Sequence, residues 1–171
     1  MKISTVLDDA GFLPDLYGKY APESAKIDEH PCVSMPVFIE DAPTETVTFA
    51  LEFVDFDAIP VGGFCWIHWV ACNIDGRVRE LPENASALEA AGMVQGSNSD
   101  WSPLAGGHRD PRVIHRYAGP YPPNKPHVYT LNVYALDCRL DLQEGFYLNE
   151  LRRAMQGHVL ATAQLEVTSR S

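Results

Sequence analysis

GFCWIHWVACNI, residues 63–74, is apolar on both faces, rich in β-branched and aromatic side chains, and interrupted by one histidine. That composition predicts a β-strand covered on both sides, running through the middle of a sheet. With Val61 and Gly62 added, the run is still far short of the roughly 20 residues that a membrane-spanning helix requires. Its neighbours read as strands too. In TVTFALEFVD, 46–55, Val47, Phe49, Leu51 and Phe53 fall on one side and Thr48, Ala50 and Glu52 on the other, the period of a half-buried strand. HVYTLNVYALD, 127–137, and HVLATAQLEV, 158–167, supply two more, the latter pointing Val159, Ala161, Ala163, Leu165 and Val167 one way. The expected core is mainly β.

One helix is expected near the C-terminus. In YLNELRRAMQG, 147–157, Leu148, Leu151 and Met155 recur at helical spacing and Gly157 stands where a C-terminal cap belongs. Glu150 near its start and Arg152 and Arg153 near its end match the helix dipole. ENASALEAAG, 83–92, predicts a second, shorter helix. Residues 95–125 are crowded with Gly, Pro, Ser and Asn, and a loop of that length inside a folded domain is usually functional. No repeat divides the 171 residues, which predict a single domain over 1–171.

Thirteen Lys and Arg against 23 Asp and Glu give a net charge of -10, which repels nucleic acid and anionic membranes. Any anion must therefore be held by local donors. MKISTVLDD meets two aspartates before an apolar run can build, so no secretory signal is visible and a cytoplasmic location is expected. Cys32, Cys65, Cys72 and Cys138 form no C-x-x-C pair and no zinc spacing, and the expectation is buried free thiols in a reducing compartment.

Three groups of residues could carry chemistry. Asp55 and Asp57, two apart on an extended segment, point the same way and can share a ligand, although the pattern also fits solvent-facing acids closing a hairpin. His68, inside an apolar strand, needs partners for both ring nitrogens; Asp55 or Asp57 is the natural candidate, a backbone carbonyl the alternative. In YAGPYPP, 117–123, Pro122 and Pro123 stiffen the turn, leaving the Gly119 and Tyr121 N–H groups available to a ligand. His127 and Tyr129 would present an imidazole and a phenol on one strand face, or simply pack against that turn. His30, His108, His115 and His158 lie in loop-like or capping sequence and stay outside these groups.

D-x-D-A-x-P at 55–60, H-W-V-x-x-N at 68–73, Y-x-G-P-x-P-P at 117–123, H-x-Y at 127–129 with V-Y-A-L-D at 133–137, and A-M-x-G-H-V-L-A at 154–161 together resemble the phosphatidylethanolamine-binding protein family, above all its bacterial Raf-kinase-inhibitor-like branch. The motifs run in the family's order over about 31–167. The resemblance implies an antiparallel β-sandwich with a C-terminal helix and one or two short peripheral helices, and a small anion pocket walled by Asp55, Asp57, His68, Gly119, Pro123, His127 and Tyr129. It also implies a homodimer. Phe56 stands where the family has proline, Ile59 separates Ala58 from Pro60, and Tyr121 replaces a small residue, three departures that bear on pocket shape.

The leading expectation is a binding protein for a small phosphorylated or carboxylated ligand such as a phosphoethanolamine headgroup, with no cofactor, no metal and no catalytic residue. A second is a regulator of a kinase or protease, as the resemblance implies. A third is a hydrolase or metal-dependent enzyme built on the two aspartates and two histidines. Against the third, the sequence has no H-E-x-x-H, no G-x-S-x-G and no nucleophile placed beside a base.

Overall fold

The computed structural model describes residues 1–171. Ten strands and three short α-helices follow one another: β1 (Lys2–Ser4), β2 (Lys26–Ile27), β3 (His30–Pro31), β4 (Val37–Glu40), β5 (Thr48–Asp55), α1 (Ile59–Gly62), β6 (Trp66–Asp75), β7 (Glu80–Leu81), β8 (Val94–Gln95), α2 (Pro111–Ile114), β9 (His127–Leu136), α3 (Leu148–Ala154) and β10 (Val159–Ser169). The larger sheet has the order β10-β9-β5-β6-β8, the smaller β1-β4-β7, and β2 pairs with β3 alone. All these pairings are antiparallel. Phe49, Leu51 and Phe53 of β5, Trp69 of β6 and Leu131 of β9 pack against Ile39 of β4 and Leu81 of β7, forming the core of a two-sheet sandwich. No helix is long and apolar enough to cross a membrane.

The central strand is β5, not the doubly apolar β6. β5 is paired along its length on both sides, whereas the far edge of β6 carries only the two residues of β8. Beyond β8 that edge is sealed by irregular chain: Gly96 N–H donates to Val70 O (2.9 Å), Ala118 N–H to His68 O (2.9 Å) and Ile67 N–H to Ser99 Oγ (2.8 Å). The long loop thus satisfies a strand edge, which is why the chain leaving β8 is buried from Gly96 to Asp100.

β5 is also buried throughout, not on one face as its alternation predicts. Its second face lies under α3 and the chain before it, with Ala50 packed among Val70, Leu136, Phe146 and Leu151. Glu52, pointing into that layer, takes donors from Arg152 Nη2 (2.6 Å), Asn132 Nδ2 (3.0 Å) and Tyr134 Oη (3.1 Å). A carboxylate so supplied can be enclosed without remaining unpaired.

α3 sits where helical spacing places it. Glu150 accepts the Tyr147 N–H (2.7 Å) at its start, and Gly157 adopts φ 82° just beyond its end. The second predicted helix does not form. Asn84, Glu89, Ala91 and Gly92 take positive φ, and the segment is a series of turns ending in a 3₁₀ turn at Ala90–Gly92. Ser86 Oγ is bonded to Gln95 Oε1 (2.7 Å) and accepts the Tyr117 N–H (2.8 Å), so tertiary bonds override local helix propensity. The short peripheral helices are instead α1 and α2. All four cysteines are free, and only Cys72 is fully buried.

Candidate ligand-binding site

Strand register collects the first side chains. Asp55, the last residue of β5, lies opposite Tyr129 on β9, and His127 projects from β9 to the same face two residues earlier. On β6 the ladder jumps from Phe53↔Trp69 to Val54↔Ile67, leaving His68 as the extra residue of a β-bulge. Strict alternation would send His68 to the face opposite Trp69. The bulge swings it back, and its ring meets Tyr129 edge-on at 5.1 Å and Phe53 at 5.8 Å.

These residues line a cavity of ≈ 410 Å³. Asp55, His68, Gly119, Pro123, His127 and Tyr129 all border it; Asp57 does not. Asp57 instead accepts the Val128 N–H (3.0 Å) and ties the turn after β5 to the start of β9. Within that turn Asp55 Oδ1 accepts the Ala58 N–H (3.1 Å), Pro60 stands in the first turn of α1, and Gly63 ends the helix at φ 86°. Phe56 and Ile59 point outward, about half exposed, and leave the cavity wall to Ala58 and Val61. Tyr121, also half exposed, does line the cavity, and Lys19 Nζ lies 5.4 Å from its ring centroid.

The histidine partners differ from expectation. Asp55 pairs with His127, Oδ2 to Nδ1 at 2.7 Å, rather than with His68. His127 Nε2 faces Asn124 Oδ1 (2.9 Å), an oxygen identified by the Lys125 N–H it also accepts (2.9 Å). His68 turns Nδ1 to the Ala118 carbonyl (2.7 Å), and its Nε2 has no protein partner. Burial drives the His68 pKa below its ordinary value, against the opposing Ala118 bond and the charges of Asp100 and Asp55. At neutral pH its ring is uncharged.

Gly119 is not a free donor either, because its N–H bonds Pro31 O (2.8 Å). The loop passes so close that a β-carbon at Gly119 would come within 2.8 Å of the Pro31 Cβ. That contact brings a second wall to the cavity: Asp28, Glu29 and His30 from the β2–β3 hairpin, and Asp100 from the long loop. The hairpin turn holds Asp28 at φ 46° and Glu29 at φ 69°, a conformation that ordinarily selects Asn-Gly. His30, set aside on sequence grounds, is thus a cavity residue, and His108 packs edge-on against it at 5.0 Å. Their segments are irregular and distant in sequence; no periodicity or spacing marks them.

Two features set the chemistry of the site. Four carboxylates border the cavity, Asp28, Glu29, Asp55 and Asp100, with three histidines and no lysine or arginine. Only two buried side-chain polar atoms in the protein lack a hydrogen-bond partner, Tyr129 Oη and Asp100 Oδ2, and both residues line this cavity. Buried polar groups are nearly always satisfied, so two orphans in one cavity point to a missing partner. Tyr129 remains a phenol: burial first, then the Asp55 charge, raise its pKa far above the usual range.

Comparison with known proteins agrees with this architecture. The family model described as phosphatidylethanolamine-binding protein matches residues 3–170. The uncharacterized protein YxkA of Bacillus subtilis is 54% identical over 159 residues, covering 93% of this chain and 94% of that protein. The solved structure of a putative phosphatidylethanolamine-binding protein homolog, CT736 from Chlamydia trachomatis, superposes with a TM-score of 0.76 at 27% identity over 99% of this chain and 97% of that one. The E. coli protein YBCL shares the fold, with a TM-score of 0.75 at 22% identity over 99% and 98% of the two chains. Through a family model that spans nearly its whole length, this chain belongs to the phosphatidylethanolamine-binding protein family.

Proposed function

We propose that the protein binds, without converting it, a small phosphorylated ligand of the phosphoethanolamine type. The observation that carries this reading is the enclosed, unpartnered Tyr129 hydroxyl, in edge contact with the ring of a histidine whose Nε2 has no protein partner. A phenol donates readily to a phosphoryl oxygen. His68 becomes a second donor when the ligand's negative charge offsets the burial that keeps its ring neutral.

The same geometry argues against catalysis. Asp55 and His127 resemble half of a catalytic triad, but the second nitrogen of His127 is held by Asn124, and no hydroxyl or thiol accepts its help. Cys65, whose thiol feels the Asp55 charge, is pushed up to about 11, chiefly by burial, and is no nucleophile at neutral pH. Asp55, Asp57, His68 and His127 do not converge as a metal set, since Asp57 lies outside and both His127 nitrogens are engaged. The four free cysteines support a reducing compartment such as the cytoplasm as the place of action.

The test is an NMR titration of the histidine ring signals with phosphoethanolamine and with inorganic phosphate, for the wild type and Tyr129→Phe. Saturable shifts at His68 and His127, weakened roughly tenfold in the variant, are expected for a lost hydrogen bond to a charged group. The variant should fold with equal or slightly greater stability, because it removes an unsatisfied buried hydroxyl. Absent shifts at millimolar ligand, or unchanged affinity in Tyr129→Phe, would overturn the reading. Attention would then move to a protein partner on the exposed Phe56, Ile59 and Val61.

A further inference from the structure

We propose that Asp137, Cys138 and His158 form a binding site for a divalent transition metal of the zinc type, at the end of the larger sheet opposite the cavity. A carboxylate oxygen, the thiol sulfur and an imidazole nitrogen of these residues lie within 4.8 Å of one another. Bonds of about 2.0–2.3 Å to zinc set neighbouring ligand atoms roughly 3.3–3.8 Å apart, so small side-chain rotations bring the three onto one ion. The Asp137 and His158 side chains, each 46% exposed, have the room to make them. Carboxylate, imidazole and thiolate together are a donor set that zinc and cobalt accept.

The fold, rather than the spacing, makes the cluster. Cys138 and His158 stand twenty residues apart with α3 between them, so no zinc pattern shows along the chain. Strand pairing closes that gap. Val159 lies opposite Leu136, and one step further the Asp137 N–H donates to His158 O (3.1 Å), which sets these two residues side by side beyond the ladder. The chain bends at Asp137 and Cys138, so Cys138 does not turn to the opposite face as it would in a continuing strand. Thr48 Oγ1 donates to the Cys138 carbonyl (2.5 Å) and fixes its backbone. From His127 at the cavity to Leu136 here, β9 covers roughly 30 Å, so the two sites are separate.

Two other uses of these residues compete. In the first, His158 Nδ1 donates to Asp137 Oδ1 (2.8 Å) and simply ties the strand ends together. A cation replaces that bond: the ring proton moves to Nε2, Nδ1 gives its lone pair to the metal, and Cys138 releases its proton to solvent as it becomes a thiolate. One proton leaves for each ion bound, and water fills the fourth position. The second use is a nucleophile beside its base. Against it, burial first and then the Asp137 charge raise the Cys138 thiol above its ordinary value, the reverse of activation.

The experiment titrates Co²⁺ and Zn²⁺ into the reduced protein, as wild type, Cys138→Ser and His158→Gln, with Cys32→Ser and Cys65→Ser as controls. All three cluster residues are at least partly exposed, and the Asp137–His158 backbone bond does not depend on their side chains, so the variants should fold. One equivalent of Co²⁺ should give thiolate-to-metal charge-transfer absorption that is lost in Cys138→Ser and kept in both controls. His158→Gln should weaken binding by about tenfold or more. Zn²⁺ should shift the His158 ring signal and leave His30, His68 and His127 unmoved. Calorimetry in buffers of different ionisation enthalpy should count one proton released. Zn²⁺ should also raise the urea midpoint of the wild type and not of Cys138→Ser, because the ion joins the end of β9 to the start of β10. A charge-transfer band that survives Cys138→Ser, zinc shifts at the cavity histidines instead of His158, or saturation only at millimolar metal would each overturn the site.

Discussion

His68 holds two places that pull against each other, wall of the cavity proposed to hold the ligand and member of a packed core. The ring satisfies burial by giving its Nδ1 proton to Ala118 and remaining neutral, at the cost of resisting a second proton. The consequence is a pH dependence of known sign. A folded-state pKa below the unfolded value of about 6.5 means that the unfolded chain binds more protons, so stability falls as pH drops from about 6.5 toward the folded pKa. His115, lowered by burial, adds to this loss. His30 is raised, first by its interaction with Asp100 against the opposing effect of burial; its stabilisation is present below about 6.5 and fades only as pH climbs through its higher folded value. The windows separate. His68→Asn, whose amide can still donate to Ala118, should flatten the decline in urea midpoint between pH 6.5 and 5, where one such histidine contributes at most about 1.4 kcal/mol per pH unit. An unchanged slope would exclude His68 as the titrating group. The residue types of the site were legible in the chain, Asp55, His68, His127 and Tyr129 above all, but their pairing was not. A bulge decides which way His68 points, and the sequence carries no mark of where a ladder skips a residue.

Among the elements, β5 and α3 are joined by one ion pair that closes the far side of the larger sheet. Arg152 reaches from the helix to Glu52 with two nitrogens, Nε at 3.0 Å and Nη2 at 2.6 Å. Glu52 is wholly enclosed while Arg152 is about half exposed, so solvent weakens the attraction without relieving the carboxylate. Arg152→Leu should therefore destabilise by about 2 kcal/mol, less than the loss of a fully buried pair, because Asn132 and Tyr134 still donate to Glu52. The double variant with Glu52→Leu should recover part of that loss, since no buried charge remains, and a cycle of urea melts would reveal it. Additive losses would show that the pair carries no coupling. The same contact shows the limit of reading strands by alternation. Val47 to Phe53 announce a half-buried strand correctly in period, but the pattern does not say that a helix one hundred residues later will supply the arginine that lets the polar face be buried. Residues 83–92 show the converse: helix formers in a row, turned into successive bends because Ser86 is needed by Gln95 and Tyr117.

At the scale of the whole molecule, the net negative charge acts on the proposed ligand as well. With a net charge of -10 and a cavity free of lysine and arginine, long-range forces slow the arrival of any anion. Raising the salt from about 0.01 to about 0.15 M shortens the screening length from about 30 to about 8 Å. The association rate of inorganic phosphate should then increase with salt, the reverse of what a basic anion-binding cleft gives. Phosphoethanolamine, whose ammonium reduces its net charge, should show the same trend more weakly. NMR line shapes of the His68 signal, recorded over this salt range with both ligands, measure the two rates together. Lys19, beside Tyr121, is the local counterweight to consider. If its charge governed the approach, the phosphate rate would fall with salt, and Lys19→Gln would reverse that fall. If the molecule's overall charge governs, the rate rises and Lys19→Gln changes it little. On the proposed reading, a molecule that repels anions at a distance and offers them a phenol within would admit a phosphorylated ligand slowly, and the salt dependence of the two rates is what distinguishes overall charge from Lys19 as the cause.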